Sequence, residues 1–117
     1  MRRGGQGCAA LTFPLEEFQK LDIRIGRIVD AKRLEGSKKL LELSIDMGDG
    51  VRRAVSGIAE FYDQEGLKGR QIAVVTNLPP RKIFGLESEV MILAAYGGDR
   101  LAYLAPEKEV PEGSRVS

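Results

Sequence analysis

Leu41-Glu42-Leu43-Ser44-Ile45-Asp46-Met47-Gly48-Asp49-Gly50-Val51-Arg52-Arg53-Ala54-Val55-Ser56-Gly57 decides the class of this fold. Leu41, Leu43, Ile45 and Met47 alternate with Glu42, Ser44 and Asp46, the period of two expected of a strand with one buried face. Gly48-Asp49-Gly50 turns the chain, and Val51 to Ser56 returns as the partner of an antiparallel hairpin that Gly57 ends.

Upstream, Ile23 and Ile25 alternate with Asp22 and Arg24, but beyond Gly26 the apolar residue, Ile28, falls on the other register. A glycine at that slip is the expected mark of a bulge that bends a long first strand, so that it serves two sides of a small barrel. Before it, Pro14 suits a first helical position, Glu16 and Glu17 suit the positive end of a helix dipole, and Leu15, Phe18 and Leu21 repeat at helical spacing. Downstream, Ile58, Phe61 and Tyr62 predict a short helix over 58–65 that stops at Gly66 as a left-handed cap. Ile72 to Thr76 and Met91 to Tyr96 are nearly continuous apolar runs, as in barrel strands covered on both sides, with a loop from Asn77 to Glu89 between them. After a Gly97-Gly98 turn, Leu101 to Ala105 is an extra strand. Five strands with a helix between the third and fourth follow the order of an OB-fold, and the expected class is all-β with short helices: a five-stranded Greek-key barrel with N- and C-terminal extensions. Residues 1–12 have neither period nor turn logic and are expected to be a disordered or vector-derived tail, leaving 13–117 as the domain.

At 117 residues and 43% hydrophobic content the chain is long enough for one core. Histidine is absent, which removes the commonest general base and metal ligand and any Ser-His or Cys-His pair, so neither enzymatic chemistry nor a cofactor is expected. The single cysteine, Cys8, is expected as a free surface thiol. No run approaches the ~20 apolar residues of a membrane span, and Met1 to Gly7 lacks the apolar stretch of a signal peptide, so a cytoplasmic location is expected. The net charge of +1 hides an asymmetry: Lys20 to Lys82 holds thirteen basic against nine acidic residues, whereas Ile83 onward holds three against six. Such a field can steer an anion to one side.

The segment Leu78-Pro79-Pro80-Arg81-Lys82-Ile83-Phe84-Gly85-Leu86-Glu87-Ser88 joins rigidity, positive charge, an aromatic ring and a hydroxyl between two barrel strands. The prolines limit the entropy lost on binding, and Arg81 and Lys82 can reach phosphates, although a stiff surface turn with solvated charges would read the same. Lys38 and Lys39 precede the second strand and Arg52 and Arg53 enter the third, at opposite ends of the hairpin; alternation lets only one of the two arginines face a given side, and Arg53 is carried forward. With seven aromatic residues in all, of which Phe18, Phe61 and Tyr62 read as core, stacking of a long single strand is disfavoured against recognition of folded RNA by shape and phosphate.

The stretches Asp22 to Val29, Lys39-Leu40-Leu41, Val55-Ser56-Gly57-Ile58-Ala59, Tyr62, Leu67-Lys68-Gly69, Asn77-Leu78, Pro80-Arg81-Lys82, Ser88, Met91 and Leu93-Ala94-Ala95 together resemble the tRNA-binding domain appended to methionyl-tRNA synthetase. The same domain occurs as free-standing dimeric proteins, among them the CsaA type and synthetase-related beta chains. The resemblance runs from about Phe18 to Val116. It implies an OB-fold dimerised through its terminal extensions, with a structure-dependent, weakly sequence-specific affinity for tRNA and an accessory role beside methionyl-tRNA synthetase; the alternative is a CsaA-type export chaperone that binds unfolded peptide. Family positions carry over to Lys39, Ser56, Asn77, Arg81, Lys82, Ser88 and Met91, and Lys38 and Arg53 complete the expected RNA-binding set. Where the family has Ser, any residue, Gly, Met, this chain has Ser88-Glu89-Val90-Met91, and valine does not take a positive φ cheaply. A homodimer is expected because Leu101-Ala102-Tyr103-Leu104-Ala105 is too apolar to stand exposed.

Overall fold

The structure, a computed structural model, describes residues 12–59 and 61–117. The expectations for the 1–12 tail, Thr12 apart, and for Cys8 lie outside the described residues. In chain order the elements are α1 (Leu15–Phe18), β1 (Ile23–Arg33), β2 (Leu41–Asp46), β3 (Val51–Ser56), α2 (Gln64–Leu67), β4 (Gln71–Val75), β5 (Arg81–Ile83), β6 (Leu86–Ser88), β7 (Met91–Ile92), β8 (Ala94–Gly97), β9 (Arg100–Tyr103) and β10 (Arg115–Val116). Strands β3-β2-β1-β4-β7 form one antiparallel sheet in that order, which curls into the nearly closed five-stranded barrel of an OB-fold.

The barrel interior holds Ile28, Ala31, Leu41, Leu43, Ile45, Met47, Ala54, Ile58, Leu67, Ile72 and Val74. Each Leu or Ile fully removed from water contributes roughly 1.5–3 kcal/mol. A second cluster, Ile23, Ile25, Ala73 and Val75, lies on the other face of β1 and β4, under Leu21, Leu93, Val110 and Val116. The parity change at Gly26 therefore has a different cause from the one expected. Pairing of Ile23 to Arg27 with β4 is regular through Gly26, and the register shift falls between Ile28 and Asp30, at exposed Val29. Two covered faces give two apolar registers without a bulge. Gly26 is required by space: a Cβ there would stand 2.5 Å from both Ile45 Cγ2 and Met47 Sδ.

Three further boundaries differ from expectation. The 58–65 segment is a hydrogen-bonded turn, with the N–H groups of Phe61 and Tyr62 both donating to Ile58 O, followed by α2, which contains Gly66. The left-handed glycine is Gly69 (φ 89°), and fully buried Leu67 draws α2 against the barrel mouth. The Met91–Tyr96 run does not continue as one buried strand: it breaks at Leu93, and Ala94 to Gly97 are exposed and pair, around a Gly98-Asp99 turn, with β9, whose Leu101 and Tyr103 pack against the barrel core. Lastly, α1 buries none of its residues; Leu15 stays 64% exposed, and Phe18, read as core, is 38% exposed.

The C-terminal segment crosses the barrel's outer face and ends as β10 against β1. Arg27 clamps it, with Nε 2.8 Å from Glu112 and its terminal nitrogens on Glu109 (2.9 Å) and the Gly69 carbonyl (2.7 Å). Hydrogen bonds from Arg27 hold both carboxyls below their ordinary range. Buried Gln71 adds an Nε2–H bond to the Val110 carbonyl and receives the Val110 N–H on Oε1. The acidic tail thus neutralises one of the counted cations in space, which the order of charges along the chain does not reveal.

Candidate nucleic-acid interface

The 77–89 segment, expected as a loop, contains a hairpin. Pro79 and Pro80 deliver the chain to β5, which pairs with β6 as Arg81 with Ser88, Lys82 with Glu87 and Ile83 with Leu86. The two residues between, Phe84 (φ 54°) and Gly85 (φ 84°), are both left-handed, the backbone of a type I′ turn. Because opposed residues share a face, Arg81, Ile83, Leu86 and Ser88 lie on one side and Lys82 and Glu87 on the other.

That first side closes the barrel. Ser88 Oγ accepts the Val55 N–H at 3.0 Å and donates to the Val90 carbonyl at 3.1 Å, while the Arg53 N–H donates to Glu89 Oε1 and the Glu89 N–H to the Arg53 carbonyl, each at 2.8 Å. The open edge of β3 is satisfied by Ser88 and Glu89 in place of a fifth full strand. Val90 is buried without a positive φ, so the valine that departs from the family pattern packs in the core without strain. Ser88→Ala would leave the Val55 N–H buried and unpaired. We expect a loss of about 1–3 kcal/mol, read as a lower urea midpoint at unchanged slope.

Beside this seam lies an open depression of about 310 Å³ lined by Ser56, Pro79, Arg81, Ser88, Met91 and their neighbours. Of the nine expected residues, Ser56, Arg81, Ser88 and Met91 are therefore brought together, though the Ser88 hydroxyl is already committed on both sides. Arg53 adjoins them through Glu89, with its guanidinium on Glu42 at 3.1 Å. Lys38 and Lys39 are exposed at the end of the hairpin where Leu41 opposes Ser56, and the Lys39 carbonyl receives the Ala59 N–H. Lys82 faces away from the depression. Asn77 lies apart: its Oδ1 accepts the Asp22 N–H and its Nδ2 donates to the Lys20 carbonyl, pinning that turn.

The β1–β2 loop and the β5–β6 hairpin meet, since a Cβ on Gly36 would stand 3.4 Å from Phe84 Cζ. Phe84 is nevertheless 57% exposed. It was legible only as the aromatic of its segment; a Phe-Gly pair between Arg81/Ile83 and Leu86/Ser88 is the signal that could have marked it as a hairpin tip. Lys38, Lys39, Arg81 and Lys82 have no carboxylate within ion-pair distance among the described residues, unlike Arg24, Arg27, Arg53 and Lys68. The outer face of β1 to β3, which OB-folds commonly use for nucleic acid, presents Lys32, Glu42 and Arg53 and no aromatic ring. No group of three or more acidic, Cys or His residues placed to hold a metal occurs among the described residues. Nor is any described helix long and apolar enough to cross a membrane.

Residues 23–115 match the family model described as "Putative tRNA binding domain". The methionine–tRNA ligase of Archaeoglobus fulgidus is 53% identical over 102 residues, covering 87% of this chain and 16% of that protein. The chain thus spans about a sixth of the length of the curated relatives it matches. Among solved structures, a MetRS related protein from Pyrococcus horikoshii superposes with a TM-score of 0.86 at 34% identity, covering 91% of this chain and 98% of that one. The chaperone CsaA of Bacillus anthracis superposes with a TM-score of 0.83 at 32% identity, covering 91% and 99%.

Proposed function

Because the chain belongs to the tRNA-binding-domain family, we propose that residues 13–117 act as one binding unit that holds folded tRNA on the paired loops of the barrel, without a catalytic step of its own. The observation that carries this reading is the set of unpaired cations, Lys38, Lys39, Arg81 and Lys82, on two loops that touch at Gly36 and Phe84 beside an open depression. Phosphate contacts fix position without reading sequence; of the rest of the proposed set, Ser56, Ser88 and Met91 line the depression and Arg53 adjoins it, while Asn77 acts from the neighbouring turn that it pins. Recognition is therefore by shape and backbone, with weak sequence preference. A tRNA partner places the protein in the cytoplasm, and the likeness to methionine–tRNA ligases supports service to a methionyl-tRNA synthetase.

A second copy of the chain covers the apolar groups that this copy leaves in water: Phe13 and Leu15 on the N-terminal arm, Tyr96 on the β8–β9 hairpin and Leu104 beyond it. The same surface, with the likeness to CsaA, favours peptide capture as the second reading. Titration with unfractionated tRNA separates the two. A tRNA binder loses affinity steeply between 50 and 200 mM salt, following counterion release, whereas an apolar peptide holdase changes little. Sedimentation of the same samples should give a dimer at micromolar protein; a monomer at every concentration would remove the dimer. Binding indifferent to salt, not displaced by bulk tRNA and displaced by unfolded peptide would replace the first reading with the second.

A further inference from the structure

We infer that Phe84 is a stacking platform for one exposed base of the folded RNA, an assignment that rests on the tRNA-binding reading above. Three observations converge on this side chain. The residue is 57% exposed at the tip of a hairpin, so more than half of an apolar group stays in water. Its backbone is left-handed, at φ 54°, in a turn position that Asn, Asp or Gly fill without strain, so the fold alone does not call for phenylalanine. The ring stands where the two cationic loops meet, its Cζ 3.4 Å and its Cε2 3.8 Å from the place a Cβ on Gly36 would take.

The chemistry of that space suits a nucleotide. Arg81 and Lys82 lie three and two positions before Phe84, Lys38 and Lys39 lie two and three after Gly36, and none of the four is neutralised by a carboxylate among the described residues. An aromatic face framed by phosphate-binding cations is the arrangement by which proteins hold unstacked bases without reading their edges. The platform is single, because no other aromatic ring stands on these two loops. It therefore selects a base already exposed by the RNA fold, at a loop or helix end, over a run of single-stranded bases.

The chain contains no tryptophan, so Phe84→Trp introduces a lone reporter at the contact. Its fluorescence should be quenched by saturating tRNA, with affinity equal to or above wild type. Phe84→Ala should weaken tRNA binding about tenfold while leaving the salt slope unchanged, since no phosphate contact is lost. Phe84→Asn, which tolerates the left-handed backbone, should match or exceed the wild-type thermal midpoint and lose binding to the same degree. Wild-type affinity in Phe84→Asn, or an indole signal indifferent to tRNA, overturns the stacking role while Arg81 and Lys82 variants still report on tRNA binding. Failure of the wild-type chain to bind tRNA at all overturns both.

Discussion

Exchanging Arg81 and Lys82 together for alanine should weaken tRNA binding about a hundredfold near 0.1 M salt and flatten the slope of log affinity against log salt by roughly two units, one per lost phosphate contact. The structure divides that effect unequally. Arg81 rims the seam depression with a planar, bidentate donor, whereas Lys82 points to the opposite face of β5 and stands across from Glu87. Arg81→Ala alone should therefore carry the larger share. Both side chains are exposed and unpaired, so folding stability should change by no more than ~0.5 kcal/mol. Lys108→Ala, on the C-terminal segment away from the two loops, is the control that should alter neither affinity nor slope. Full affinity in the double variant at the wild-type slope would remove these two residues from the interface.

How far the sequence reached can be judged element by element. The β2–β3 hairpin was readable because one buried face imposes strict alternation, and Leu41, Leu43 and Ile45 are indeed sealed from solvent. Strand β4 was readable as a continuous run because both its faces are covered, Ile72 and Val74 inward and Ala73 and Val75 outward. The run at Met91 to Tyr96 looked the same but ends in exposed Ala94 and Ala95, since composition alone does not say when a chain leaves a barrel. Of the residues that line the depression, Arg81 stood out by its type and place in a stiff loop and Ser56 and Met91 through the family resemblance, while the commitment of Ser88 to barrel closure was hidden. That role depends on which backbone edge lies opposite, the N–H of Val55, a contact 33 positions away. The order of charges along the chain likewise hid the return of Glu109 and Glu112 through space to Arg27.

Gly26 joins the sequence reading to the fold most sharply, and its substitution is the largest stability effect we expect. A bulge glycine is chosen for its backbone freedom, and alanine at such a site is costly only through φ. Here φ lies outside the left-handed region, so conformation permits alanine and space alone forbids it. The added methyl would meet Ile45 Cγ2 and Met47 Sδ at 2.5 Å and the Asp46 carbonyl at 3.2 Å. Met47 is unbranched and can yield, but Ile45 is fully buried and stiff at χ1, and the carbonyl is fixed by the β1–β2 pairing. Overpacking of this kind costs about 3 kcal/mol for Gly26→Ala and more for Gly26→Val. Because the conflict is pairwise, it should be non-additive: Gly26→Ala with Ile45→Ala should cost clearly less than the sum of the two single changes, by about 1 kcal/mol or more in urea denaturation. Strict additivity, or a Gly26→Ala chain as stable as wild type, would show that β1 moves off β2 at no cost and that the glycine answers to something other than the close crossing of these two strands.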